Sequence, residues 1–347
     1  MTPRSTAPTL AAFVLLLSFA APDQAVLAGE GIVGPTARRG PLEIRDEYLL
    51  AQPRLTLPAV SPHTLPRGRW SFDLSVLSSN SFAWTQDEEG ETPKIRLFLI
   101  DGETVSFDAR LRHGLSASVD VGLALPIRHR GGGVLDGLID TWHRLFGFQD
   151  GARPEFLHDA YRAEGRTTSD EPFSWTDKPG SGLGDLQGDV RWRVRDGGND
   201  RLSLALVGRL SLPTATGPFA GHGLGGGGQV LFGIPLGRRF DLYAGAGATV
   251  QDPGPVDGVA YARSRGHGFV ALEWRPWERV SLVLETNAGT RLVRNIAMYP
   301  GRHWLVNVGG RFDLGDSARL DVGLTENILD QQSTTDLAFY FALGVRP

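Results

Sequence analysis

His143 stands one helical turn after Asp140 and two turns after Asp136, a spacing that sets an imidazole beside a carboxylate along one helix edge. Such a pair can act as a general base or a weak metal site. The same spacing also arises on any polar helix face, where the pair is a solvated contact, so no metal site is assigned. Ser174 and Ser181, with His143 or His158 and an orienting acid, hold the groups of a lipid hydrolase. No nucleophile elbow or spaced signature ties them together. The Gly-rich stretch 221–228 is followed by a strand and carries no Lys, whereas a phosphate cradle needs both a Lys and a following helix. Nucleotide binding is excluded there. Cysteine is absent, which removes disulfides, cysteine-built zinc sites and thiol nucleophiles.

A larger set of chemistry-bearing residues is more regular. Asp73, Arg110, Arg112, Asp120, Arg191, Arg193, Arg209, Asp241, Glu273, Glu285, Arg311, Asp313, Arg319 and Asp321 fall on alternate positions of runs whose other positions are apolar. Alternation of this period puts the two sets on opposite faces of a strand. Charges of both signs on one face imply a hydrated lumen or one closed by ion pairs, because unpaired charge in a dry interior is too costly. Arg191, Arg193, Asp241, Glu273, Arg311 and Asp321 are the lumen-facing candidates.

The elements that would position these residues are long strands. In 115–127, Leu115, Ala117, Val119, Val121, Leu123, Leu125 and Ile127 alternate with small or polar residues. At about 3.3 Å per residue the run is ~40 Å long, enough to cross a bilayer obliquely. About twelve such strands are predicted, roughly at 68–80, 94–112, 115–128, 184–195, 201–213, 226–236, 239–251, 264–275, 279–291, 302–314, 318–327 and 335–346. Short and long connections alternate strictly, as in outer-membrane barrels, whose short turns face the periplasm and long loops the exterior. Trp70, Trp192, Phe240, Trp274 and Phe312 sit near the short-turn ends on the apolar register, the place of an aromatic girdle. Phe82, Trp84, Tyr299 and Trp304 are expected in the opposite belt. The expected fold is therefore all-β: a single antiparallel transmembrane barrel of about 12 strands.

Outside the strands, Arg4, the apolar run 11–20 and the small residues after it read as a secretory signal over 1–28. Residues 29–67 are Pro-rich and irregular, a periplasmic lead-in or a plug, and 68–347 form the barrel. The longest loop, 130–183, contains a helix at 134–146 with Val134, Leu135, Leu138, Ile139, Trp142, Leu145 and Phe146 on one side. It could be a lid over the mouth, lie in the headgroup layer, or fold into the lumen.

The lead-in with Leu65-Pro66-Arg67-Gly68, the stretch 131–147 and Gly182-Leu183-Gly184-Asp185 together resemble the domain-of-unknown-function 3187 family of bacterial outer-membrane-type proteins. The resemblance implies a secreted barrel with no assigned activity, and it transfers no functional residues.

A formal net charge of −4 argues against nucleic acid as a partner. The expected place is the outer membrane of a Gram-negative bacterium, reached by Sec-type export. Expected partners are outer-membrane lipid, a small-molecule ligand and the barrel assembly machinery, with no cofactor. The leading functional reading is a channel or a transporter of a small or lipid-like molecule, gated by the loop helix. The alternatives are an enzyme modifying lipid or lipopolysaccharide, with His143 as base, and a structural barrel whose loops bind.

Overall fold

A computed structural model of the chain describes residues 38–86, 96–147, 153–198, 201–220, 223–252, 254, 256–327 and 333–346. The proposed signal peptide lies outside them. Strong period-two alternation makes each strand long and one-faced. In chain order they are β1 (Trp70–Gln86), β2 (Arg96–Gly114), β3 (Val119–Gly131), three short strands of the longest loop, β4 (Arg162–Arg166), β5 (Pro172–Ser174) and β6 (Gly180–Leu183), then β7 (Leu186–Arg195), β8 (Ser203–Leu212), β9 (Gly225–Pro235), β10 (Phe240–Gln251), β11 (Ser264–Trp277), β12 (Val280–Thr290), β13 (Arg302–Leu314), β14 (Ala318–Glu326) and β15 (Leu337–Val345).

Each strand pairs antiparallel with its neighbour, and β1 pairs with β15 from Phe72↔Val345 to Asn80↔Leu337, which closes the cylinder. The two halves β6 and β7 share one side of β3, so they count as one stave and the closed barrel has 12. Closure leaves no unpaired edge among the 12 staves, the condition for a sheet in lipid, and only the short loop strands β4 and β5 form a side branch. Among the described residues no helix is long and apolar enough to cross a membrane.

Register assigns the faces. Phe72 is opposite Leu111, and Leu74 is opposite Leu343. Such exposed apolar residues cover the outside, while Asp120, Asp241, Glu273, Arg311 and Asp321 are all buried inside. Trp70, Trp192, Phe240 and Trp274 are exposed on the outside near the short turns, with Phe240 stacked on Trp274 at 6.1 Å. The opposite belt departs from expectation. Trp304 is exposed on the outer face, but Tyr299 lies in the interior cluster with Tyr48 and Tyr261, because its loop folds inward over the barrel.

The interior is filled by residues 38–66, which contribute no strand to the sheet. They enter beside β11 to β13, where Arg39 donates to Asp313 and, at 3.0 Å, to Ser281. They rise to a short 3-10 turn, Leu49–Ala51, where Leu49 N donates to Ser81 Oγ at 3.2 Å. They return along β9, β10 and β3, and Leu65 N donates to Asp120 Oδ2 at 2.8 Å. The segment is a hairpin threaded through the lumen.

The loop helix α1 spans Asp136–Phe146 and ends at Gly147 in the left-handed conformation, φ 71°, which glycine adopts without Cβ strain. It starts two residues later than predicted because Glu103 takes the amides of Val134 and Leu135.

Candidate functional site

The lumen is lined by charges that answer one another across neighbouring strands. Arg311 reaches Asp321 at 3.0 Å, and Arg319 joins Asp321 and Asp73, also at 3.0 Å. Arg191 reaches Asp120 at 2.9 Å, and Asp120 also receives Arg112. Arg275 pairs with Asp241 and lies 3.5 Å from Glu273. Arg193 differs from the other five candidates. It sits at the short-turn rim, bonded to Ala117 O at 2.6 Å and to Asp196 at 2.8 Å.

The threaded segment completes this network. Arg38 adds a second partner to Asp241 at 2.9 Å, and Glu273 accepts from the amides of Arg39 and Gly40 at 3.2 Å. Glu47 meets Arg128 at 2.9 Å, and Arg45 donates to Gln187 at 2.6 Å. Arg191 also donates to the Ser61 carbonyl at 2.8 Å. Buried charge is tolerated only when paired and hydrogen-bonded, and here the segment supplies many of the partners of the wall charges. On the segment, burial holds His63 down to about 4, helped by the positive charges of Arg38 and Arg191.

Above the paired charges the filling changes character. Tyr48, Leu49 and Leu50 at the hairpin tip pack with Phe98, Phe173 and Trp175 and with loop residues such as Tyr261 and Ile296. Arg130 lies 5.4 Å over the Trp175 ring. This apolar cap lies at the long-loop end. A small cavity remains between the segment and the wall of β11 to β13, lined by Ile44, Asp46, Leu57, His267, Asn287 and His303. His267 is bonded to Thr249 at 3.1 Å and His303 to Arg265 at 2.8 Å.

Helix α1 is in neither the mouth nor the lumen. It lies against the outer wall at the long-loop end, over the seam of β1 and β15, with Asp136, Ile139 and His143 buried and Leu138, Leu145 and Phe146 exposed. Arg153, in the same loop, binds Asn80 of β1 at 2.9 Å, Asp136 of α1 and Asp336 just ahead of β15. Its guanidinium lies 4.6 Å over the Phe82 ring. The expected pairing of His143 with Asp140 does not form. Asp140 pairs with His158 at 3.2 Å, while His143 turns to the wall, 4.0 Å from Glu326. Residues three apart on a helix differ in facing by about 60°, enough to divide the two between surface and wall. The hydrolase serines meet other groups: Ser181 contacts His129 at 2.9 Å, and Ser174 accepts from the Thr176 amide at 3.3 Å. Of the Gly-rich stretch, Gly225 to Gly228 open β9, and the loop residues 221 and 222 lie outside the described set.

Sequence reasoning missed two groups of residues. Arg39, Arg45 and Glu47 had no periodicity to mark them. Asn80, Asp101, Glu103 and Glu326 had a signal: each is polar on an otherwise apolar, outward register, which calls for a cover.

A closed barrel with an apolar exterior and a polypeptide-filled, charge-paired lumen defines a plugged antiparallel β-barrel. The chain belongs to the family described as protein of unknown function (DUF3187), whose model matches residues 22–346. Comparison with curated proteins gives no match. Among solved structures, the fold is similar to the COG4313 outer membrane channel from Pseudomonas putida F1, with 10% identity, 84% of this chain and 100% of that chain covered, and a TM-score of 0.55. The Ralstonia pickettii toluene transporter TbuX is more distant, at 7% identity over 81% of this chain and 90% of that one, TM-score 0.41.

Proposed function

We propose that the protein is an outer-membrane channel for a small molecule, closed by its own N-terminal segment and opened when that segment moves. One observation carries the reading: residues 38–66 fill the lumen as a hairpin held by side-chain pairs, outside the strand ladder. Breaking the hairpin contacts leaves the barrel's own ladder intact. Such pairs can exchange for water, which softens the cost of moving the segment. The fold it shares with a protein described as an outer membrane channel agrees with this. In this role the short turns face the periplasm, the signal directs Sec-type export, and the barrel assembly machinery inserts the chain among outer-membrane lipids. The gate is thus the lead-in, and α1 is a clamp on the outer wall.

Single-channel recording of the refolded barrel tests it. The full chain should be silent or open rarely, and deletion of residues 39–64 should give stable conductance steps. A second reading, a purely structural barrel, is favoured by the apolar cap at the long-loop end. Silence of a deletion variant that still shows heat-modifiable gel mobility would establish that reading and reject the channel.

A further inference from the structure

The outer wall near the long-loop end carries acids where lipid-facing residues would be expected. Glu326 follows Val322 and Leu324 on the outward register of β14, and Asp101 and Glu103 occupy that register on β2. All three are buried beneath the longest loop. Asp136 and Asp336 add two more buried carboxylates, with the Arg153 guanidinium among them. Most of this charge is answered locally. Glu103 accepts the amides at the start of α1. Asp136 is met by Arg153, Asn80 and the Asp159 amide. Asp336 Oδ2 accepts from Arg153.

Glu326 is met less directly. It is 7% exposed, and its Oε2 meets no partner of good hydrogen-bond geometry among the described residues, with the Trp142 side chain and the Asn327 amide as the nearest donors to the carboxylate. Its Oε1 faces His143 Nε2 at 4.0 Å, beyond hydrogen-bond length. One ligand atom each from His143, Glu326 and Asp336 lies within 4.8 Å of the others.

We propose that His143, Glu326 and Asp336 form a site for a divalent transition-metal ion of the zinc type, joining α1 to the barrel wall. An imidazole nitrogen with two carboxylate oxygens is a donor set for such an ion, whereas calcium and magnesium take oxygen alone. Ligand atoms about 2.0–2.2 Å from a tetrahedral centre stand ~3.5 Å apart, so a small inward movement of these side chains suffices. The ion would offset an excess of buried negative charge that is otherwise costly. Its ligands come from the helix, from the end of β14 and from the segment before β15, so it acts as a structural staple. Three protein ligands leave one coordination position for water.

The test uses the full barrel, refolded and stripped with EDTA, then titrated with Zn²⁺ alone by calorimetry and with Co²⁺ by absorption. Expected are one ion per chain, the d–d bands of a tetrahedral cobalt site, and a raised unfolding midpoint. Affinity should fall at least about tenfold in His143→Gln and in Glu326→Gln, with heat-modifiable mobility reporting that each variant folds. No saturable zinc binding to the folded wild type overturns the proposal. So does binding unchanged in both variants, which would place the ion on exposed histidines such as His129 and His158. Calcium or magnesium binding indifferent to His143→Gln would equally reject the assignment.

Discussion

The same lumen is filled in opposite ways at its two ends. Toward the short turns, the threaded segment meets the wall through charged pairs, such as Arg39 with Asp313 and Arg38 with Asp241, set around a smaller apolar cluster of Leu42, Ile44, Ala59 and Val60. Toward the long loops, its tip, Tyr48 to Ala51, is embedded in aromatic and aliphatic residues. Charged pairs can be replaced by hydrated charges when water follows the segment out, so their net contribution is modest while both partners survive. Apolar contacts have no such substitute, since each Leu withdrawn into water loses about 1.5–3 kcal/mol. In the proposed gating the tip, with its bulkier apolar contacts, would contribute most of the barrier to opening, and the paired region would supply the groups that line the path.

The contrast yields an order of effects. Replacing both tip leucines, Leu49→Asp with Leu50→Asp, should act most strongly, converting rare openings into frequent ones in planar-bilayer recordings. If the double variant folds and remains silent, the tip does not hold the gate. Next, Asp120→Ala removes the shared acceptor of Arg112, Arg191 and the Leu65 amide. Leaving buried guanidinium charge short of a partner should cost about 3–5 kcal/mol in denaturant unfolding. Trp175→Ala empties a buried site of the cap and should cost ~3 kcal/mol, with openings more frequent and unit conductance unchanged.

The smallest effect is on pH. The unfolded chain protonates His63 below about 6.5, while the folded protein resists protonation down to about 4 because the ring is buried near positive charge. The proton therefore favours the released segment, and stability should fall as pH drops from about 6.5 toward about 4. Thermal melts across that window should flatten in His63→Gln.

What was legible in the sequence follows from the solvent each residue meets. A strand with lipid on one side and polar filling on the other must alternate, so β3, β7 and β11 to β14 stand out in the sequence, and the inward register of Asp241, Glu273, Arg311 and Asp321 follows with them. The threaded segment is surrounded by wall on all sides. Its residues have no solvent face to contrast with a buried one, and its partners are distant in sequence, as Arg39 and Asp313 are. Hence 38–66 carries no period. The apolar stripe of α1 was legible, but its docking place was written elsewhere, in Asn80, Glu103 and Glu326 on faces that should be greasy. His143 and Asp140 were paired by spacing alone, and spacing does not say which neighbour packs against a helix.

Arg153 holds Asn80 near the long-loop end of the first stave and Asp336 beside the last. These groups meet only after the first and last staves have zipped together, so the clasp belongs to the final stage of assembly. It fastens a finished cylinder and cannot guide an open sheet toward closure. An Arg153 variant should therefore insert and close at a normal rate, then unzip sooner under load.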